Sequence, residues 1–304
     1  MRENGAIVYR YSVSNGATAK QAIIHIMLDQ IVNPVIGELP FPHRSTDMEA
    51  FNAFSAAVKT ALATPGGWDG DITRLRSDNL DRIAWMPHSD NLNTNGIQAG
   101  RTLTGFGFSS LDLPGVGPTL TAGLGEVFGF PDEGPVEDSA VLDELNRLRD
   151  NHFVLRPAAV PMIAVPNPFD AAVLLDRIQT QMHTWIDKQL LDATFSSQLD
   201  RFFASAISAY RLNQPKVGKK QIQTMREMLN KEHQDLGRDE EHESDKTHEK
   251  NDGRKSALID RLAARVLDFD LEYVTKRMDG DNREHASTDT LKPAPSSSER
   301  QHKK

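Results

Sequence analysis

Residues 167–212, NPFDAAVLLDRIQTQMHTWIDKQLLDATFSSQLDRFFASAISAYRL, hold the densest helical apolar period in the chain. Leu174, Ile178, Met182, Trp185 and Ile186 recur at three- and four-residue steps. Leu199, Phe202, Phe203, Ile207 and Tyr210 do the same, so each set falls on one face of a helix. Asp176, Arg177, Lys188 and Asp200 occupy the opposite face. Asn167 can cap the first helix, Pro168 suits its first position, and Asp170 places negative charge where unpaired N–H groups point. The reading is a helix pair broken near residues 194–197, with the core built on it. The fold class that follows is mainly α, or α+β with a few short strands.

Working outward, the 304 residues can bury a sizeable core, and the length prior gives roughly one or two domains. A hydrophobic fraction of 38% is low for a wholly globular chain, so part of the sequence is expected not to pack. Net charge is −8, which argues against nucleic-acid binding driven by overall charge. The absence of cysteine removes disulfides, thiol nucleophiles and cysteine-ligated metals. The first residues lack a continuous apolar run, and no run approaches the roughly 18 residues that span a bilayer. A soluble, intracellular (cytoplasmic) protein without signal peptide or transmembrane segment is expected, with the virion as a variant.

On the N-terminal side, Ala6–Val13 alternates β-branched and aromatic residues before the Asn15-Gly16 turn signal, which predicts a short strand. Ala17–Val32 spaces Ala19, Ile23, Ile26, Met27 and Ile31 at helical steps and stops at Asn33-Pro34, so a helix is expected there. Residues 35–44 read as an extended connector. Ser45-Thr46-Asp47 with Glu49 opens a helix that runs to Pro65. Trp68–Trp85 reads as a further amphipathic helix. Residues 96–135 hold half of the chain's 20 glycines and suit turns, short strands or a long loop. Asp138–Asp150 regains helical spacing, and VLRPAAVPMIAVP, with its prolines, reads as an edge strand or connector.

On the C-terminal side, Val217–Leu229 predicts one more short helix. The division expected is a globular body over 1–229, a charged tether over 230–256, an amphipathic helix over 257–278 and a disordered tail over 279–304. Leu258, Leu262, Val266, Phe269 and Tyr273 share one stripe of that last helix. An isolated helix of this length is marginal in water, so the stripe needs something to bury against, either a partner or the chain's own body.

Candidate chemistry is sparse. Gly105-Phe-Gly107, Gly115-Val-Gly117 and Gly123-Leu-Gly125 lack the spacing of a dinucleotide loop and the Gly-Lys-Ser/Thr of a P-loop, so they read as structural. Asp69, Asp71, His88 and Asp90 near Trp68 and Trp85 could ligate a cation if the fold gathered them, but polar loop residues explain them more cheaply. His233, His242 and His248 share no helical face, and His183 reads as a hydrogen-bonded residue on a polar face. Lys216, Lys219, Lys220 and Arg226 form the densest basic cluster and can meet phosphates. No aromatic lies among them to stack a base, so nucleic acid is not favoured. No catalytic, cofactor or metal residue is assigned and no cofactor is expected. The function expected is a non-enzymatic, self-associating structural or interaction protein of viral capsid or nucleocapsid type, with coiled-coil pairing through 257–278. The alternative is an enzyme or small-ligand binder with a pocket under residues 96–135.

Overall fold

A computed structural model describes residues 6–28, 35–36, 39–40, 56, 59–74, 81–88, 92–123, 153–233 and 257–288. Among these residues the strands are β1 Ile7–Ser14, β2 Ile23–Leu28, β3 Val35–Ile36, β4 Leu39–Pro40, β5 Trp68–Arg74, β6 Asp81–Pro87, β7 Thr102–Ser110, β8 Leu113–Gly123 and β9 Val154–Ile163. A short helix, α1 Leu92–Asn95, sits between β6 and β7. Four long helices follow: α2 Ala171–Asp187, α3 Ala193–Arg211, α4 Pro215–Glu232 and α5 Arg261–Thr288.

The strands form two antiparallel sheets, one ordered β1-β7-β3-β4 and one ordered β5-β6-β2-β8-β9. The fold is therefore α+β. The mainly α expectation fails, and so does its allowance of a few short strands, because β7, β8 and β9 run 9, 11 and 10 residues. Two predicted helices are strands. Ile23–Leu28 is buried from both sides: Ile26 and Leu28 enter the main core, while Met27 joins a second cluster with Ala84, Leu120, Ala122 and Phe153. A strand covered on both faces reads as a continuous apolar run and loses its period of two. Trp68–Trp85 is the β5–β6 pair, with Gly70 opposite Trp85 and Ile72 opposite Ile83.

The glycine-rich stretch is mostly strand because glycine permits close approach. A Cβ on Gly107 would stand 2.3 Å from the Tyr9 carbonyl oxygen, beside the register shift at Tyr11/Ser12. Gly107→Ala is expected to cost about 1–3 kcal/mol, since backbone and not a yielding side chain is in the way. Urea melts of the variant measure it, and an unchanged midpoint would contradict this packing.

β9 is an edge strand, as its prolines require. The helix pair is present too, but its break lies at residues 188–192, before Thr194. Helix α2 is capped by Asp170, whose Oδ1 accepts from Val173 N at 3.0 Å, and not by Asn167 with Pro168 in the first turn. Asn167-Pro168 is a cis peptide. Asp192 caps α3, accepting from Thr194 N and Phe195 N at 2.8 and 3.0 Å. The predicted helix over 217–229 extends to 215–232. The last helix begins at Arg261 and runs to Thr288, so residues 279–288 are helical where a disordered tail was expected. The helix predicted over 138–150 and the charged stretch beyond residue 233 lie outside the described residues, as does most of the helix predicted from Ser45.

Helix α5 packs against α2, α4, β8 and β9, joining the helical layer to the five-stranded sheet. Ala263, Ala264, Leu267, Leu271 and Val274 of α5 share one core with Leu174, Ile178, Met182 and Trp185 of α2 and with Val116 and Val160 of the sheet. The chain reaches α5 through a bridge between Leu191 and Ile259. Asp192 N donates to Leu258 O at 2.8 Å, and Asp260 N donates to Leu190 O at 2.7 Å.

Candidate binding cleft

Antiparallel partners share a face, so register gives the composition of the sheet interior row by row. One row runs Trp85, Ile26, Thr121, Val154, and the next runs Ile83, Leu28, Thr119, Arg156. Both rows begin apolar at β6 and β2 and reach a threonine at β8; on β9 one ends in Val154 and the other in Arg156. The second sheet covers the apolar half: Phe106 and Phe108 stack around Trp85 at centroid distances of 5.8 and 6.5 Å, and Tyr11 lies 6.2 Å away. β1 is its last strand on that side among the described residues. Beyond it a cleft of about 740 Å³ opens between β1, the turn at residues 15–21, and the inner face of β8 and β9.

Val13, Ile23, Ile26, Leu28, Trp85 and Phe106 give the cleft an apolar floor and side. Ser12, Ser14, Gln21, Thr119 and Thr121 line its upper part. Lys20 and Arg156 are its charged lining residues, both exposed, and no carboxylate joins them among the described residues. The walls are fixed. Asn15 is buried and donates from Nδ2 to Gln21 O and to Ile97 O, both at 2.8 Å, which locks the turn that carries Lys20. Tyr11 donates its hydroxyl to Ala159 O at 2.9 Å, tying β1 to β9. Burial pushes that phenol well above its ordinary pKa, so it stays a neutral donor.

A second polar group lies at the far end of β1. Tyr9 donates to Asp112 O at 2.8 Å, and Asp112 N donates to Ser110 Oγ at 3.1 Å. The Asp112 carboxyl is buried and pushed up to about 6, the nearby Arg177 charge offsetting part of the burial effect. Asp270 of α5 is fully buried, and neither carboxylate oxygen has a hydrogen-bond partner among the described residues. Burial raises its pKa well above the ordinary value; burial also raises that of Tyr9, with the Asp270 charge adding to it.

The residues singled out from sequence are dispersed. Arg226 is held by α5: Nε donates to Asp268 Oδ1 at 2.6 Å, and one terminal nitrogen donates to Asp268 Oδ2 at 3.1 Å and Glu272 Oε2 at 3.0 Å. Lys219 pairs with Asp279 of the same helix. Only Lys216 and Lys220 of the four face solvent unpaired among the described residues. On the α5 stripe, Val266 and Tyr273 are buried within this chain and Leu262 is half-buried, while Leu258 and Phe269 are 37% and 40% exposed. Asp69 and Asp71 point away from Trp68 and Trp85; Asp69 meets His88 at 3.3 Å, and Asp71 meets Lys59 at 2.8 Å. Asp90, His242 and His248 lie outside the described residues. His183 bonds Asp200 Oδ1 at 2.7 Å on an exposed face, and His233 bonds Ile259 O at 2.6 Å. No cluster of three or more His, Cys, Asp or Glu able to hold a metal occurs among the described residues. None of their helices is long and apolar enough to cross a membrane.

Sequence reasoning missed Lys20 and Arg156. The signal available was the alternation Thr119-Leu120-Thr121-Ala122, which places hydroxyls on one face of a strand. No family model, curated protein or solved structure matches the chain.

Proposed function

We propose that the protein is a non-enzymatic binding protein whose cleft accepts a small amphipathic ligand with an apolar body and an anionic end. The observation that carries this reading is that the apolar rows of β6 and β2 give way to Thr119 and Thr121 of β8, with Arg156 of β9 beside them, where the covering sheet stops at β1. The volume lies within the range of small-molecule sites, which are mostly apolar with a few placed polar groups. Apolar contact with the accessible lining residues Val13, Ile23 and Val154 supplies affinity, while Lys20 and Arg156 select the sign of charge at the mouth. No acid–base pair or nucleophile with an activating neighbour lines the cleft among the described residues, so the reading is binding and not turnover.

Trp85 lies buried beneath the lining and is one of the chain's three tryptophans, whose emission provides the readout. Dodecanoate is expected to change tryptophan emission saturably, and dodecylammonium to do so more weakly. The double variant Lys20→Glu, Arg156→Glu is expected to weaken dodecanoate binding about fivefold, two exposed charge contacts being worth roughly 1 kcal/mol together. Equal response to both head groups, or none to either, would overturn the proposal. The rival reading is self-association through α5, supported by the outward Phe269 and Leu258. Light scattering of the full chain separates the two: a mass above one chain that falls on Phe269→Ser favours self-association.

A further inference from the structure

We infer that the turn between α3 and α4 is a contact surface for anionic lipid. From Arg201 to Arg226 this net-acidic chain contains no Asp or Glu and six basic residues: Arg201, Arg211, Lys216, Lys219, Lys220 and Arg226. Pairing with α5 removes Lys219 and Arg226 from that set. Arg211, Lys216 and Lys220 remain exposed, and their side chains have no hydrogen bond or ion pair among the described residues.

The same ten-residue corner holds two large apolar side chains that the fold turns outward. Leu212 is 66% exposed, the highest value among the exposed large apolar residues described, and Val217 is 44% exposed. That exposure is imposed by a built turn. Asn213 takes a left-handed φ of 54°, Gln214 N donates to Ala209 O at 2.8 Å, and Leu212 N donates to Ser208 O at 3.0 Å. Gly218 lets the two helices close, because a Cβ there would lie 2.7 Å from the Tyr210 ring. With the backbone so held, Leu212 has no inward alternative.

Cations interleaved with outward apolar side chains fit a surface that is negative at its face and apolar beneath it, as the headgroup region of an anionic bilayer is. Nucleic acid fits less well: it meets the cations but leaves Leu212 and Val217 in water, and no exposed aromatic stands among them to stack a base. The contact is peripheral and salt-sensitive, and it uses a surface remote in sequence from the cleft residues Lys20 and Arg156.

The test is sedimentation of the full chain with vesicles of phosphatidylcholine alone and of phosphatidylcholine carrying about 30% phosphatidylserine, at low and high salt. Binding to the second alone, lost at high salt, is expected. Lys216→Glu, Lys220→Glu should weaken it more than tenfold, since each basic residue near such a surface contributes about a fivefold factor. Leu212→Ser, Val217→Ser keeps every charge and should also weaken binding severalfold; both variants change exposed side chains, so unaltered melting confirms folding. No binding to the anionic vesicles overturns the inference. So does full binding by the serine variant together with tight binding of a short oligonucleotide, which would assign the turn to nucleic acid instead.

Discussion

Trp185→Ala is expected to lower the unfolding free energy by about 3–5 kcal/mol, the range for deleting a large core aromatic. Trp185 is 1% exposed and sits where α2 joins the common core, on the same face as Ile178 and Met182. Loss of the ring opens a cavity between rigid helices, and the cost grows with how little they collapse. The indole Nε1 is buried with no hydrogen-bond partner, so the side chain acts here as an apolar volume. Trp185→Phe removes that unsatisfied donor while keeping an aromatic ring, and should cost less than about 1.5 kcal/mol. Urea melts of both variants measure the two values. A loss under about 1 kcal/mol for the alanine variant would mean that the helices do not depend on this ring.

The second large effect is on pH. Asp112 and Asp270 both have folded pKa values raised by burial, so each takes up a proton on folding. Their contribution is fully present below the unfolded value of about 3.9 and is lost as pH rises. For Asp112 the loss runs from pH 3.8 to about 6 and amounts to about 2–3 kcal/mol, at roughly 1.4 kcal/mol per pKa unit. For Asp270 the loss likewise runs upward from the ordinary carboxylate value, its raised pKa coming from complete burial. Asp270→Asn should therefore gain stability relative to the parent as pH climbs from 4 to 7, and Asp112→Asn should flatten the lower part of the profile. Chemical melts at closely spaced pH values read this directly; parallel curves for parent and variants would show that neither carboxyl is protonated on folding.

The helical half was legible because its apolar residues sit at one face per helix, and burying one face preserves the period. Even there the exact start of α2 was not, since Asn167, Pro168 and Asp170 all carry start signals and only the backbone chooses among them. The first strand was legible from its β-branched and aromatic residues and from Asn15-Gly16, and β9 from its prolines as an edge strand or connector. The strands between them were not. In Ile23–Leu28 both faces are covered, so Ile26 and Met27 look like neighbours on a helix although they face opposite cores. In β7 and β8 glycine marks tight packing against Tyr9, Val160 and Met162, and glycine in sequence speaks for turns more loudly than for contacts. The cleft was hidden for another reason. Lys20 comes from a turn and Arg156 from a strand far along the chain, and only the β2–β8–β9 register brings them to one opening. The basic cluster was visible as letters, but the acids that neutralise half of it come from α5.

The bridge between Leu191 and Ile259 brings the end of α4 and the start of α5 to one place. His233 at the end of α4 holds Ile259 just before α5, and the Leu258 and Asp260 backbones are fastened to Leu190 and Asp192. Among the described residues, α5 is kept in place by its own packing and by this clasp. Severing the chain within residues 234–256 should leave two pieces that travel together, and lengthening it there by a foreign insert should not disturb the register of any strand or helix.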